Sequence, residues 1–271
     1  MKQPALETVL DQRDYKMLND DDLERYARQV IMASLGEDGQ QKLLDARVLV
    51  VGAGGLGAPV LLYLAAAGIG NITIIDDDIV SRTDLNRQVI YKDHEIGKTK
   101  AATAAQAISA LNPSIKINPQ IMRLNAENVE PLVCAHDVVI DCTDNAPTRY
   151  LLGDAAHRCQ RPLVFGGAVR MEGQVSVFQS SVEGHVGSPC YRCVFPATPS
   201  AQQAPGCSEA GILGPVTGLV GTLQALEAIK VIKGSDETLT SRLLLIEAGG
   251  SNFMEIATAA RPDCSCCAPK G

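Results

Sequence analysis

Arg47-Val-Leu-Val-Val51 runs directly into Gly52-Ala-Gly-Gly-Leu-Gly57, and the reading of this stretch decides the fold. A continuous aliphatic run with no polar alternation predicts a strand buried on both faces. The glycines predict a tight turn that opens a helix from Leu56. Such a turn lets the backbone approach a phosphate and lets the helix pack on the sheet. Unpaired N–H groups at the helix N-terminus would then face an anion. Asn71-Ile-Thr-Ile-Ile75 reads as the next strand, and Asp76 at its end offers a carboxylate to ribose hydroxyls. Strand, glycine turn, helix and acidic residue in this order predict a nucleotide site. They do not separate ATP from a nicotinamide dinucleotide.

Outward from this unit, Leu56 to Ile75 is free of charge for a length that raises a membrane span. Gly68-Ile-Gly-Asn71 interrupts it with turn chemistry, so a buried helix, a turn and a buried strand are expected, with no membrane partner. Upstream, Leu23, Tyr26, Ala27, Val30 and Ile31 share one face of a helix over Asp20 to Leu35, with Asp20 or Asp21 as its N-cap. A short helix follows over Asp38 to Leu44. Downstream, a helix over Lys98 to Leu111 stops at Asn112-Pro113. Strands are expected at Ile115 to Ile121, Asp137 to Ile140 and Leu163 to Phe165.

Strands alternating with helices imply a parallel sheet with right-handed crossovers. The pattern then changes: Gly173 to Gln179 alternates as an antiparallel strand does. Gly184 to Gly214 reads as a loop and Pro215 to Lys233 as one long helix. Leu243 to Ile246 and Phe253 to Ala257 pair as a closing hairpin. The expected fold is α/β, a Rossmann-like, mostly parallel sheet continuing into an antiparallel C-terminal part. Residues 1–20 read as an N-terminal extension and 21–271 as a single domain.

Composition narrows the function. The 271 residues include 4% aromatics and no Trp, so the core must be aliphatic. A net charge of −7 is a poor balance for holding a phosphodiester backbone, which argues against nucleic acid. Met1 to Asp20 has no apolar stretch of the kind a signal peptide needs, so a cytoplasmic location is expected. In that reducing compartment, the nine cysteines are expected to hold metal more than to form disulfides. Cys190-x-x-Cys193 and Cys264-x-x-Cys267 each have zinc-ligand spacing. Cys266, lying between the second pair, could shift that pair's register by one position, though Cys-x-x-Cys geometry favours Cys264 with Cys267. Cys134, Cys142 and Cys159 read as small buried hydrophobes.

Arg87, Lys100 and Asp144 follow strand ends, where ligands bind in such sheets. Each alone reads as a surface cation or a helix cap. Together, two cations and a spare carboxylate suit a triphosphate with Mg²⁺ better than a hydride acceptor.

The ordered set of motifs resembles the ubiquitin-activating-enzyme superfamily, in its MoeB/ThiF branch. It comprises Arg25-Tyr-Ala-Arg-Gln29, the glycine turn, Asp76, Leu85-Asn-Arg-Gln88, Gly97-Lys-Thr-Lys100 and Asp141-Cys-Thr-Asp-Asn145. It continues through Arg170-Met-Glu-Gly173, Cys190-Tyr-Arg-Cys193, the helix from Gly221 to Lys230 and the terminal cysteines. The resemblance implies that Gly55, Asp76, Asn86, Arg87, Lys100 and Asp144 hold ATP, with Asp144 towards Mg²⁺. Gly52, Gly54, Gly57, Thr83, Asp84, Leu85 and Asn145 would complete that pocket.

Arg28 would reach ATP in the second subunit of a homodimer. One structural zinc would sit on Cys190, Cys193, Cys264 and Cys267. Cys207 matches a loop cysteine that, in some relatives, bonds to the activated carrier. The implied reaction joins AMP to the C-terminal glycine carboxylate of a small ubiquitin-like sulfur-carrier protein. Residues 21–170 would then be a nucleotide-binding half and 171–271 a half for carrier and zinc.

The chemistry suits these residues. A chain-terminal carboxylate, with a pKa of roughly 3.5, is already ionised at neutral pH and needs no general base. The four histidines, His94, His136, His157 and His185, are therefore expected to be structural or solvent-facing. Arg170-Met-Glu-Gly173 leans towards a molybdopterin-type carrier (MoaD-like), with a thiamine-type carrier (ThiS-like) as the alternative. No rhodanese-like segment follows Cys267, so a separate sulfur donor is expected. A nicotinamide-dependent oxidoreductase and an inactive binding subunit are the readings from other classes.

Overall fold

The structure is a computed structural model, and it describes residues 18–196 and 210–268. Helices α1 (Asp20–Val30) and α2 (Gly36–Asp45) lead into β1 (Arg47–Val51). The chain continues through α3 (Gly57–Ala67), β2 (Asn71–Ile75), α4 (Lys100–Leu111) and β3 (Lys116–Gln120). Next come α5 (Val129–Cys134), β4 (Val138–Asp141), α6 (Ala146–Arg158) and β5 (Leu163–Val169). The last part holds β6 (Glu172–Phe178), α7 (Tyr191–Val194), α8 (Gly214–Lys233), β7 (Arg242–Glu247) and β8 (Asn252–Ala257).

One sheet in the order β3-β2-β1-β4-β5-β6-β7-β8 carries all of these strands. Pairing is parallel from β3 to β5 and antiparallel from β5 to β8. The strand order reverses beside β1, which is where such sheets place their ligands.

Alternate residues of each central strand feed two cores, which is why β1 reads as an unbroken apolar run. Val48, Val50, Ile72 and Ile74 meet Leu61, Leu64, Ile108 and Val220 from α3, α4 and α8. Leu49, Val51 and Ile75 meet Leu152, Phe165 and Tyr191 on the other face. The charge-free stretch resolves into α3, a turn and β2, with Gly68 closing the helix. Among the described residues, α8 is the one helix long and apolar enough to cross a membrane. It lies against α3, β5 and β6, burying Val216, Val220, Ala225 and Ala228.

Several expectations need correction. The cap of α1 is Asn19, whose side chain accepts from Asp22 N while Asp22 answers Asn19 N; neither Asp20 nor Asp21 is the cap. Of the expected apolar face of α1 only Tyr26 is buried, and Ile31 beyond its end is 73% exposed. Strand β5 runs on past Phe165 to Val169, because its far half pairs with β6.

Cys134 and Cys159 are not buried hydrophobes. They form a disulfide between the end of α5 and the C-cap of α6, at a Cα–Cα distance of 5.0 Å. Packing of α5 on α6 brings together two cysteines 25 residues apart. Composition could not anticipate that. Cys142 is buried, as expected.

Candidate active site

The carboxyl ends of β1, β2 and β4 open into a cleft of about 410 Å³. Its floor is the glycine turn. Gly52 has φ +95°, and a Cβ there would lie 2.7 Å from the Cys142 carbonyl oxygen on β4's exit. A Cβ on Gly57 would come within 2.0 Å of the Gly52 carbonyl oxygen. No side chain fits either position without moving backbone, so the turn is held tight against the sheet. Tyr91 secures it from outside, its hydroxyl donating to the Ala53 carbonyl at 2.8 Å.

Asp76 closes one wall. Its Oδ2 accepts from Ala53 N at 2.7 Å and its Oδ1 from Asp78 N at 2.9 Å. Burial raises its pKa, against the pull of those two N–H groups and of Lys100. The carboxylate is thus fixed in place, with lone pairs left for a ligand hydroxyl.

Beside it stands a charge cluster built on Asp84, which lies in a 3₁₀ turn over Arg82–Asp84. Asp84 Oδ2 accepts from Ser81 N and Ser81 Oγ, both at 3.0 Å. Arg87 Nη2 lies 3.3 Å from Asp84 Oδ1, and Lys100 Nζ lies 3.5 Å from Asp84 Oδ2. Burial pushes the Asp84 pKa up, but the Ser81 N–H, Lys100, the Ser81 hydroxyl and Arg87 outweigh it and hold the group below its ordinary value. Lys100 is itself buried and makes a second ion pair, 2.8 Å to Asp78 Oδ2. Burial acts to lower its pKa, yet the Asp78 bond and the charges of Asp84, Asp78 and Asp76 raise it. Both cations are already partnered.

Gly52, Gly54, Gly55, Asp76, Asp84, Arg87, Lys100, Asp144 and Asn145 all line the cleft. Gly57 lies behind the turn. Thr83, Leu85 and Asn86 sit outside the lining. Thr83 and Asn86 act from there on Arg87, whose Nη1 donates to the Thr83 carbonyl at 2.8 Å and to Asn86 Oδ1 at 3.1 Å. Asn145 caps α6, its Oδ1 accepting from Thr148 N and Oγ1. Arg28 is exposed on α1, away from this lining. Cys207 lies outside the described residues.

The cleft also gathers residues the sequence did not single out: Asp78, Gln88, Met122 to Leu124, Thr143, Arg149 and Thr217. Arg149 Nη2 donates to the Thr143 carbonyl at 2.7 Å, and its guanidinium lies 5.3 Å from the centre of the Phe165 ring. Its spacing, one helical turn beyond Asn145, was the only available signal. Met122 to Leu124 carry none. None of the four histidines lines the cleft. His136 is held between the Leu132 carbonyl and Thr73 Oγ1, and His157 against Ser180 Oγ.

Away from the cleft, the Sγ atoms of Cys190, Cys193, Cys264 and Cys267 all lie within 4.8 Å of one another. The contacts are 3.8 Å for Cys190–Cys193, 3.5 Å for Cys190–Cys264 and 3.3 Å for Cys193–Cys267. Four thiolates about 2.3 Å from a tetrahedral Zn²⁺ would stand about 3.8 Å apart, so the set fits that ion. Cys264 and Cys267 complete that four-sulfur cluster with the first pair, and Cys266 packs against it. Arg192, between Cys190 and Cys193, pairs with Asp154 Oδ1 at 2.6 Å and so joins this knuckle to α6.

A doubly wound sheet with a glycine turn, a cation cluster at its strand ends and a four-cysteine knuckle defines a class of nucleotide-dependent α/β proteins. The match to the ThiF family spans residues 26–267, and the chain belongs to that family. It is 42% identical over 249 residues to the SAMP-activating enzyme E1 of Haloferax volcanii, covering 92% of this chain and 90% of that one. The sulfur carrier protein adenylyltransferase of Thermus thermophilus is 42% identical over 248 residues, covering 91% of each.

The adenylyltransferase and sulfurtransferase MOCS3 of Anopheles gambiae is 43% identical over 251 residues, but this chain spans only 56% of its length. Among solved structures, Escherichia coli MccB with ATP superposes with a TM-score of 0.76 at 23% identity, over 90% of this chain and 74% of that one. At that identity the likeness speaks for the fold.

Proposed function

We propose that this chain transfers AMP from ATP to the C-terminal carboxylate of a small ubiquitin-like sulfur-carrier protein, releasing pyrophosphate. The observation that carries this reading is the pairing of Arg87 and Lys100 around Asp84, facing the glycine turn in a cleft without histidine. The reading is supported by the name of the Thermus thermophilus relative, a sulfur carrier protein adenylyltransferase matched over 91% of each chain.

On this reading the glycine turn and the start of α3 receive phosphates, and Asp76 takes the ribose. Lys100 and Arg87 neutralise charge that grows on the phosphates as the bond to pyrophosphate breaks. The attacking carboxylate arrives ionised, so holding it in line is the main task.

The cleft's own charges call for a divalent cation. Asp76, Asp77, Asp78, Asp84 and Asp144 outnumber Arg87, Lys100, Arg123 and Arg149. A polyanionic nucleotide is repelled unless it brings a metal. Asp144, exposed at the cleft's rim, is the residue we assign to Mg²⁺, which would supply neutralisation of the phosphates. Zn²⁺ on the four cysteines would be structural, since four thiolates leave no open coordination position.

We further assign residues 21–170 to the nucleotide and 171–271 to carrier and zinc, with residues 1–20 as an extension. A homodimer would place Arg28 at the second subunit's nucleotide, and a separate protein would donate sulfur. A molybdopterin-type carrier is favoured over a thiamine-type one by Arg170-Met-Glu-Gly173. The test is incubation with each purified carrier, ATP and Mg²⁺, followed by intact mass. Addition of one AMP to the carrier is expected. Hydrolysis of ATP with every carrier unchanged would sink the reading.

A further inference from the structure

Gln88 carries a polar atom that the cleft leaves unanswered. The residue is 3% exposed, and it lines the cleft. Its Nε2 lies 3.7 Å from where a Gly54 Cβ would stand. That same Nε2 donates to Asp84 Oδ1 at 3.0 Å. This bond fixes the orientation of the amide, because turning it over would set its oxygen against a carboxylate oxygen, acceptor to acceptor. Oε1 is therefore directed away from Asp84, and it is buried with no hydrogen-bond partner among the described residues. Native proteins leave few such atoms.

The surroundings limit what can answer it. Asp84 lies 3.3 Å from Arg87 Nη2 and 3.5 Å from Lys100 Nζ, so the amide stands between the glycine turn and the two cations. That is where the preceding reading puts the phosphates, and this inference rests on that reading. A phosphate oxygen cannot satisfy Oε1, since both accept. The donors that a metal-bound nucleotide does carry near its phosphates are O–H groups. They come from water held by the cation or from the ribose hydroxyls.

We propose that Gln88 Oε1 accepts a hydrogen bond from an O–H donor of the bound metal–nucleotide complex, making Gln88 a specificity-determining residue of this site. One amide thereby holds two things: Nε2 steadies Asp84, and with it Arg87 and Lys100, while Oε1 reads the ligand. A site lacking that acceptor would still bind polyphosphate but would lose preference for the complete complex.

The test is calorimetric titration of the full chain with a non-hydrolysable ATP analogue, for wild type, Gln88→Leu and Gln88→Met. Gln88→Met keeps the side chain's length, and it serves if Gln88→Leu does not reach wild-type melting behaviour. Each protein is titrated with Mg²⁺, with excess chelator, and with 2′-deoxy and 3′-deoxy analogues. With Mg²⁺ and the intact analogue, the substitutions should weaken binding roughly fivefold to tenfold.

If the donor is a cation-held water, that loss disappears under chelator and persists with the deoxy analogues. If it is a ribose hydroxyl, the loss disappears with one deoxy analogue and persists under chelator. A loss equal under all conditions, or none, overturns the proposal, because Gln88 then only supports Asp84. Wild-type protein that binds no nucleotide under any condition overturns the ATP reading instead, and that is seen before any variant is made.

Discussion

Lys100→Ala tests the nucleotide site most directly, and its size follows from the geometry. The ammonium is held by Asp78 at 2.8 Å and Asp84 at 3.5 Å, and its side chain is 7% exposed. A phosphate about 4 Å away gains about 4 kcal/mol at an effective dielectric near 20. To gain it, the phosphate must displace Asp78, whose side chain is 70% exposed. Such a screened pair is worth about 1 kcal/mol. Asp84, only 9% exposed, keeps Ser81, Arg87 and Gln88 and need not move. About 3 kcal/mol remains, which is roughly 150-fold in affinity for Mg·ATP. Equilibrium binding of a fluorescent ATP analogue measures it, and carrier-dependent pyrophosphate exchange should fall at least as far. Because Asp84 retains its other donors, the variant should melt near the wild-type temperature. A folded Lys100→Ala that binds nucleotide within tenfold of wild type would refute the reasoning.

Gly57→Ala should destabilise the fold by about 3 kcal/mol in urea, since its Cβ would meet the Gly52 carbonyl oxygen at 2.0 Å; helix propensity alone predicts a gain of about 1 kcal/mol, so a stabilised variant would show that the turn is not tight. Metal analysis should find one Zn²⁺ per chain, abolished by Cys193→Ser and retained in Cys266→Ser. Cys207→Ala should keep AMP transfer and pyrophosphate exchange, with any loss confined to thiocarboxylate formation with a sulfur donor present; loss of adenylylation in a folded dimer would place Cys207 in the ATP or carrier site. Asp84, held below the ordinary carboxylate value of 3.8, contributes stability that is complete above that pH and lost as pH falls through its lowered value. Asp84→Asn should therefore flatten the acid side of the melting-temperature profile below about pH 4, and an unchanged acid slope would count against the charge cluster.

What the sequence determined by itself is what depends on neighbours along the chain. The aliphatic run of β1, the glycine turn and Asp76 made the β1–turn–α3–β2 unit legible, because strand burial, turn strain and helix start are local properties. The two Cys-x-x-Cys pairs were legible for the same reason, since each spans one knuckle. What only the tertiary structure decided depends on where distant segments meet. It brought the Sγ atoms of Cys264 and Cys267 within 4.8 Å of those of Cys190 and Cys193. It joined Cys134 to Cys159 by packing α5 on α6. It brought Met122 to Leu124 to the cleft without any local signal, and Arg149 with none beyond its helical spacing from Asn145. Above all, it showed that Arg87 and Lys100 are not free cations awaiting a phosphate. They are held by Asp84 and Asp78; the Arg87–Asp84 pair is local, but folding alone carries Lys100 on α4 to both carboxylates.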